Sequence, residues 1–140
     1  MIRLLFFLPV FFCCMNVKAV ASTPDLSKKR IIAISVNETG LAFISKDTLT
    51  FDQLTTELQK RLWKSYMGTG KMYEVIRLQF TGRVPAVVQE GAANAIKKAQ
   101  QNALIEICLE KHKKLYESLS EGQQRKIRKQ FPALFQSGYM

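Results

Sequence analysis

The stretch Tyr73-Glu74-Val75-Ile76-Arg77-Leu78-Gln79-Phe80, then Thr81-Gly82-Arg83-Val84-Pro85, then Ala86 to Glu110, decides the fold. In its first eight residues Val75, Ile76, Leu78 and Phe80 are apolar, while Arg77 and Gln79 alternate toward the other face, as in a half-buried strand. Thr81 to Pro85 reads as a loop, and Pro85 stands just before a helix start, where its missing N–H matters little. From Ala86 to Gln101, Val88, Ala92, Ala95, Ile96 and Ala99 line one side of a helix, with Glu90, Asn94, Lys97, Lys98 and Gln101 on the rest. Ala103 to Glu110 holds Leu104, Ile105, Ile107, Cys108 and Leu109 in an almost continuous apolar run, which predicts a second strand. A strand-helix-strand unit of this length predicts parallel pairing with a right-handed crossover.

Working backwards from there, Ile31-Ile32-Ala33-Ile34-Ser35-Val36 and Leu41-Ala42-Phe43-Ile44-Ser45 predict a hairpin around Asn37-Glu38-Thr39-Gly40, with Gly40 free to take a positive φ. Asn37-Glu38-Thr39 also matches the glycosylation triplet, but in a tight turn its structural use is the better reading. Lys46 to Thr50 leads into a helix. Thr50 and Gln53 form a capping-box pattern, Asp52 suits the positive helix end, and Phe51, Leu54, Leu58 and Leu62 make an apolar face up to about Lys64. Ser65 to Lys71 is a glycine-containing loop. Its Gly68-Thr69-Gly70-Lys71 ends like a phosphate loop, but Ser65 stands where the first glycine belongs and Met72 where the Ser or Thr belongs.

Together these elements give an α+β class: a two-layer sandwich of a small mixed sheet with two helices over residues 31–110. A basic helical extension, residues 111–140, follows. In that extension Lys111, Lys113, Lys114, Arg125, Lys126, Arg128 and Lys129 face only Glu117 and Glu121. Leu115, Tyr116 and Leu119 suggest a helical turn. Ser120 with Gln123 is a second capping box, Ile127 and Phe131 make a short apolar stripe, and Pro132 stops the helix.

The N-terminus reads as a secretory signal over residues 1–21, or a short membrane anchor. Met1-Ile2-Arg3 is a basic start, Leu4 to Val17 an apolar run, and Ala19-Val20-Ala21 a cleavage site. Residues 22–30 read as a polar linker. This places the chain in the periplasm or cell envelope. Cys13 and Cys14 go with the signal, leaving Cys108 as a buried structural thiol with no disulfide partner.

Charge sets the class of partner. Twenty-one Lys and Arg against 11 Asp and Glu give a net charge of +10, which favours anionic partners. The secretory pattern and the lack of a glycine-aromatic strand motif argue against nucleic acid. Catalysis finds little support. His112 is the only histidine and lies between Lys111 and Lys113, and no carboxylate cluster, Cys pair or nucleophile-base spacing marks a metal, cofactor or catalytic site. The reading is a non-enzyme. Its partner-contact candidates are the cations Arg77, Arg83, Lys113, Lys114, Arg125 and Arg128, together with the exposed strand edge.

The order hairpin, helix, strand, helix, strand behind one N-terminal apolar segment resembles the periplasmic domain of the ExbD/TolR biopolymer-transport family. Ile31 to Ser45 resembles its opening strands, Leu49-Thr50-Phe51-Asp52-Gln53-Leu54 its helix start, Tyr73 to Phe80 its next strand, Val84 to Ala99 its Val-x-x-Val helix, and Ala103 to Leu109 its last strand. Two departures stand out. Leu4 to Val17 holds no acidic residue where the family has a membrane Asp, and Phe80-Thr81-Gly82 replaces an Ala-Asp pair. The resemblance implies an envelope binding and assembly module without the proton-coupling element. Such a module forms a homodimer and contacts a TonB-like or motor-subunit protein or the cell wall. The alternative from the residues is a secreted basic module that binds an anionic membrane surface through its C-terminal tail. A small hydrolase with an unrecognised site is the third.

Overall fold

The computed structural model describes residues 30–139. The expected signal or anchor, and all but the last residue of the expected linker, lie outside the described residues. The elements are β1 (Ile31–Val36), β2 (Ala42–Ile44), β3 (Asp47–Leu49), α1 (Phe51–Thr69), β4 (Val75–Phe80), α2 (Ala86–His112) and α3 (Glu121–Gln130). Short 3-10 turns lie at Tyr116–Ser118 and Pro132–Leu134. The class is α+β, with a four-stranded mixed sheet in the order β3-β2-β1-β4.

The hairpin forms as the residues predict, with β1 antiparallel to β2 and Gly40 at φ 80°. β3 continues it as a third antiparallel strand, with Ile44 opposite Asp47. The parallel pair differs from expectation. β4 runs parallel to β1, from Ile31 opposite Val75 to Val36 opposite Phe80. The predicted strand over residues 103–110 does not exist, because those residues complete α2, a single helix of 27 residues. The reason lies in the spacing of the buried residues. Ala92, Ala95, Ile96, Ala99, Ala103 and Ile107 recur at three and four residues without a break, while Ile105 and Leu109 stay 43% exposed. Such a pattern follows one face of a helix. No Gly or Pro separates Gln101 from Ala103. The helix stops only where Lys113 turns left-handed and its N–H bonds the Leu109 carbonyl.

Both helices cover one face of the sheet. Ile32, Ile34, Val36, Ala42, Ile44, Ile76 and Leu78 point into the core. α1 adds Leu54, Leu58 and Leu62. It is longer than expected, running to Thr69 and closing on Gly70 in the left-handed region, but its start is as predicted: both capping-box bonds of Thr50 and Gln53 are present. The two long helices touch closely at Gly91, where a Cβ would sit 2.8 Å from the Phe51 ring. Between them the buried Thr55 hydroxyl donates to the Ala95 carbonyl at 3.2 Å. Asn102 donates to Gln59, which donates to Glu106, each at 2.9 Å.

The C-terminal third packs into the same core. Its second capping box, Ser120 with Gln123, is formed. Leu119, Ile127, Phe131, Ala133 and Leu134 are buried, and Phe131 meets Tyr66 edge-to-face with centroids 5.4 Å apart.

Candidate interaction surface

In a strand, successive side chains point to opposite faces. Burying Ile32, Ile34 and Val36 therefore turns Ile31, Ala33 and Ser35 outward. The register extends this to a full row: Thr48, Phe43, Ser35 and Gln79 lie side by side across β3, β2, β1 and β4. Arg77 sits opposite Ala33, and half-buried Val75 opposite Ile31. None of the described helices covers this face. It is nearly free of charge in a strongly basic chain, with Arg77 its one cation on the paired strands.

Next to this face is the outer edge of β4. The Thr81 N–H bonds the Val36 carbonyl at 2.9 Å, so alternation directs the backbone groups of Ile76, Leu78 and Phe80 away from β1. At Ile76 the edge is closed by a side chain. The Ile76 N–H donates to Gln136 Oε1 at 2.9 Å, and Gln136 Nε2 donates to the Ile76 carbonyl at 2.7 Å. One amide thus fills one register position that a further strand beside β4 would take. Its segment is held by Gln100, only 3% exposed, which donates to the carbonyls of Ala133 (2.6 Å) and Gln136 (3.1 Å) and accepts from Tyr139 (2.7 Å). Burial pushes the Tyr139 phenol above its ordinary pKa. Beyond Ile76, no described side chain bonds the backbone of Leu78 or Phe80, and Phe80 is 38% exposed.

The six cations singled out from the sequence fall into two groups. Arg77 is on the open sheet face. Arg83 lies in the following loop, where its N–H donates to the Glu38 carboxylate at 3.0 Å. Preceding it, Gly82 has φ 83°, and a Cβ there would collide with that carboxylate. The other four lie in the C-terminal third. Lys113 is the left-handed cap of α2 and Lys114 is exposed after it. Arg125 and Arg128 line one groove with Glu121 and Gln124. Arg128 is engaged in packing: its Nε donates to the Tyr116 hydroxyl at 2.6 Å, and its guanidinium lies over the Tyr116 and Phe135 rings. Among the described residues no ion pair or hydrogen bond joins the two groups.

Sequence reading missed Gln100, Gln136 and Phe43, and it also missed a basic cleft of about 430 Å3 between α1 and the start of β1. There Arg30 lies 5.0 Å over the Tyr73 ring and donates to the Thr69 hydroxyl and the Lys71 carbonyl. Arg61 in the same cleft is already held by Asp47 and Glu57, both at 2.8 Å. Lys64 is left as the cleft's least committed cation.

Cys108 is fully buried, and burial, with Glu117 adding to it, pushes its thiol up, which makes it a packing residue at neutral pH. His112 is half-buried at the end of α2. Among the described residues no group of three or more His, Cys, Asp or Glu could hold a metal, and no helix is long and apolar enough to cross a membrane. No protein-family model, curated protein or solved structure matches this chain.

Proposed function

We propose that this chain is a non-enzymatic binding and assembly module of the cell envelope, resembling the periplasmic domain of ExbD/TolR biopolymer transporters and acting through a homodimer and contact with a partner protein or the cell wall. The observation that carries this reading is the uncovered, nearly uncharged sheet face beside a strand edge open beyond Ile76. Sheet faces and edges of this kind are where further strands or a second sheet add. The N-terminal signal pattern supports the envelope assignment. The family resemblance rests on residues 31–99, since the run compared with the family's last strand is helical here.

The test is sedimentation velocity over a wide protein concentration range. The expected result is a reversible dimer that Phe43→Asp, on the open face, converts to monomer without loss of helical content. A chain that stays monomeric at every concentration overturns the dimer, and a dimer indifferent to Phe43→Asp and to a charged residue at Gln79 overturns the open sheet face as its interface.

A further inference from the structure

α2 carries two exposed aliphatic residues, Ile105 and Leu109, on a side that the described residues do not cover. Lys98, Gln101, Ile105, Leu109 and His112 recur at three- and four-residue steps, so they form one ridge. The buried stripe, Ala92 to Ile107, lies on the other side against the sheet and α1. The ridge therefore points away from the sheet. Ile105 and Leu109 are each 43% exposed, and Leu115, just past the helix end, is 47% exposed. Half-buried Leu104 and Tyr116 form a shallow groove with Ile105. Cations frame this patch. Lys98 is on the ridge, and Lys113 and Lys114 are at its end. The Lys113 side chain is 79% exposed and its ammonium is 3.9 Å from Glu110, too loose to neutralise it. Glu117 is the acid at the groove.

The size of the patch selects its occupant. Ile105 and Leu109 span about 6 Å of helix, one turn. With Leu115 they offer far less than the ~800 Å2 per partner that a stable protein interface buries. A few aliphatic side chains flanked by lysines on a rigid helix match instead a surface that lies in the plane of a lipid headgroup layer. The overall charge of +10 suits an anionic one.

We propose that the C-terminal half of α2, with Leu115, Lys113 and Lys114, rests on an anionic lipid surface. Ile105, Leu109 and Leu115 dip among the headgroups, and the lysines bind lipid phosphates. This contact uses the side of α2 away from the sheet, so it leaves the open sheet face free. It stands or falls independently of dimer formation.

The experiment uses the protein as isolated after secretion, with vesicles of phosphatidylcholine alone or with one third phosphatidylglycerol (~one third, enough for a strong negative surface potential). Hydrogen exchange reads the contact locally, so any N-terminal contribution is separated. The expected result is slowed exchange at residues 109–116 with anionic vesicles only, reversed by high salt. Ile105→Ser with Leu109→Ser, or Lys113→Glu with Lys114→Glu, is expected to weaken vesicle binding roughly tenfold. Should the serine pair disturb folding, Leu115→Ser, outside the helix, carries the same expectation at smaller size. Equal protection on neutral vesicles, protection without lipid at high protein concentration, or protection that survives both double substitutions overturns the proposal.

Discussion

Gln136 acts on β4 as a backbone amide would, giving and taking one hydrogen bond at Ile76 from 60 residues away. Replacing it with Leu leaves that N–H and carbonyl without a protein partner, and a lost pair of this kind costs about 1–2 kcal/mol. Gln136→Leu is expected to lower stability by that amount in urea titration and to speed exchange at the Ile76 amide selectively. Gln136→Glu keeps the acceptor but turns a carboxylate toward the Ile76 carbonyl, so it is expected to be no better. An unchanged Ile76 amide in the Leu variant would show that the contact has no energetic weight. At this scale the sequence was readable where chemistry is local. Thr50 with Gln53 and Ser120 with Gln123 need only a three-residue spacing, and both boxes form. Gln100 and Gln136 carry no such mark, because their partners are fixed by the fold.

Elements were readable to the extent that periodicity separated helix from strand. The run Ala103 to Leu109 is apolar at nearly every position, and such a run fits a buried strand and a buried helix equally well. What decided it was continuity with the Ala92-Ala99 stripe upstream, together with helix-favouring Ala, Leu and Glu. β3 escaped for a different reason. Its turn, Ser45-Lys46, puts a positive φ of 59° on Ser45, where a hairpin normally advertises itself with Gly or Asn. The helix assignment has a sharp consequence at two neighbouring isoleucines. In a strand, Ile105 and Ile107 would share a face; in a helix they stand about 200° apart. Ile107 is fully buried and Ile105 is not. Ile107→Ala is therefore expected to cost about 2–5 kcal/mol by thermal or urea unfolding, and Ile105→Ala no more than about 0.5 kcal/mol. Equal losses at both positions would contradict the helix.

For the molecule as a whole, the two-layer α+β architecture was legible, since alternation in β1 and β4 and the face of α1 all point to one core. The place of the basic C-terminal third was less so, because its charges mask a thin apolar stripe. That stripe is what ties it down. Phe131 is fully buried against Tyr66, Ile127 lies beneath it on α3, and Gln100 is almost enclosed by the carbonyls of residues 133 and 136. Charge and packing are thus carried by different side chains and should separate on mutation. Lys126→Gln with Lys129→Gln removes two exposed cations and is expected to change stability by no more than about 0.5 kcal/mol. Ending the chain after Gln130 removes one large core aromatic and two smaller core residues, and it strips the buried Gln100 amide of its partners. Truncating a buried Phe alone costs about 3–5 kcal/mol. That already approaches the 5–15 kcal/mol by which small domains are stable. The shortened chain is therefore expected to lose its cooperative unfolding transition and its near-ultraviolet circular dichroism, while the doubly substituted full chain keeps both. If the shortened chain melts like the intact one, the core closes without its last residues, and the C-terminal segment serves only to cover the edge of β4.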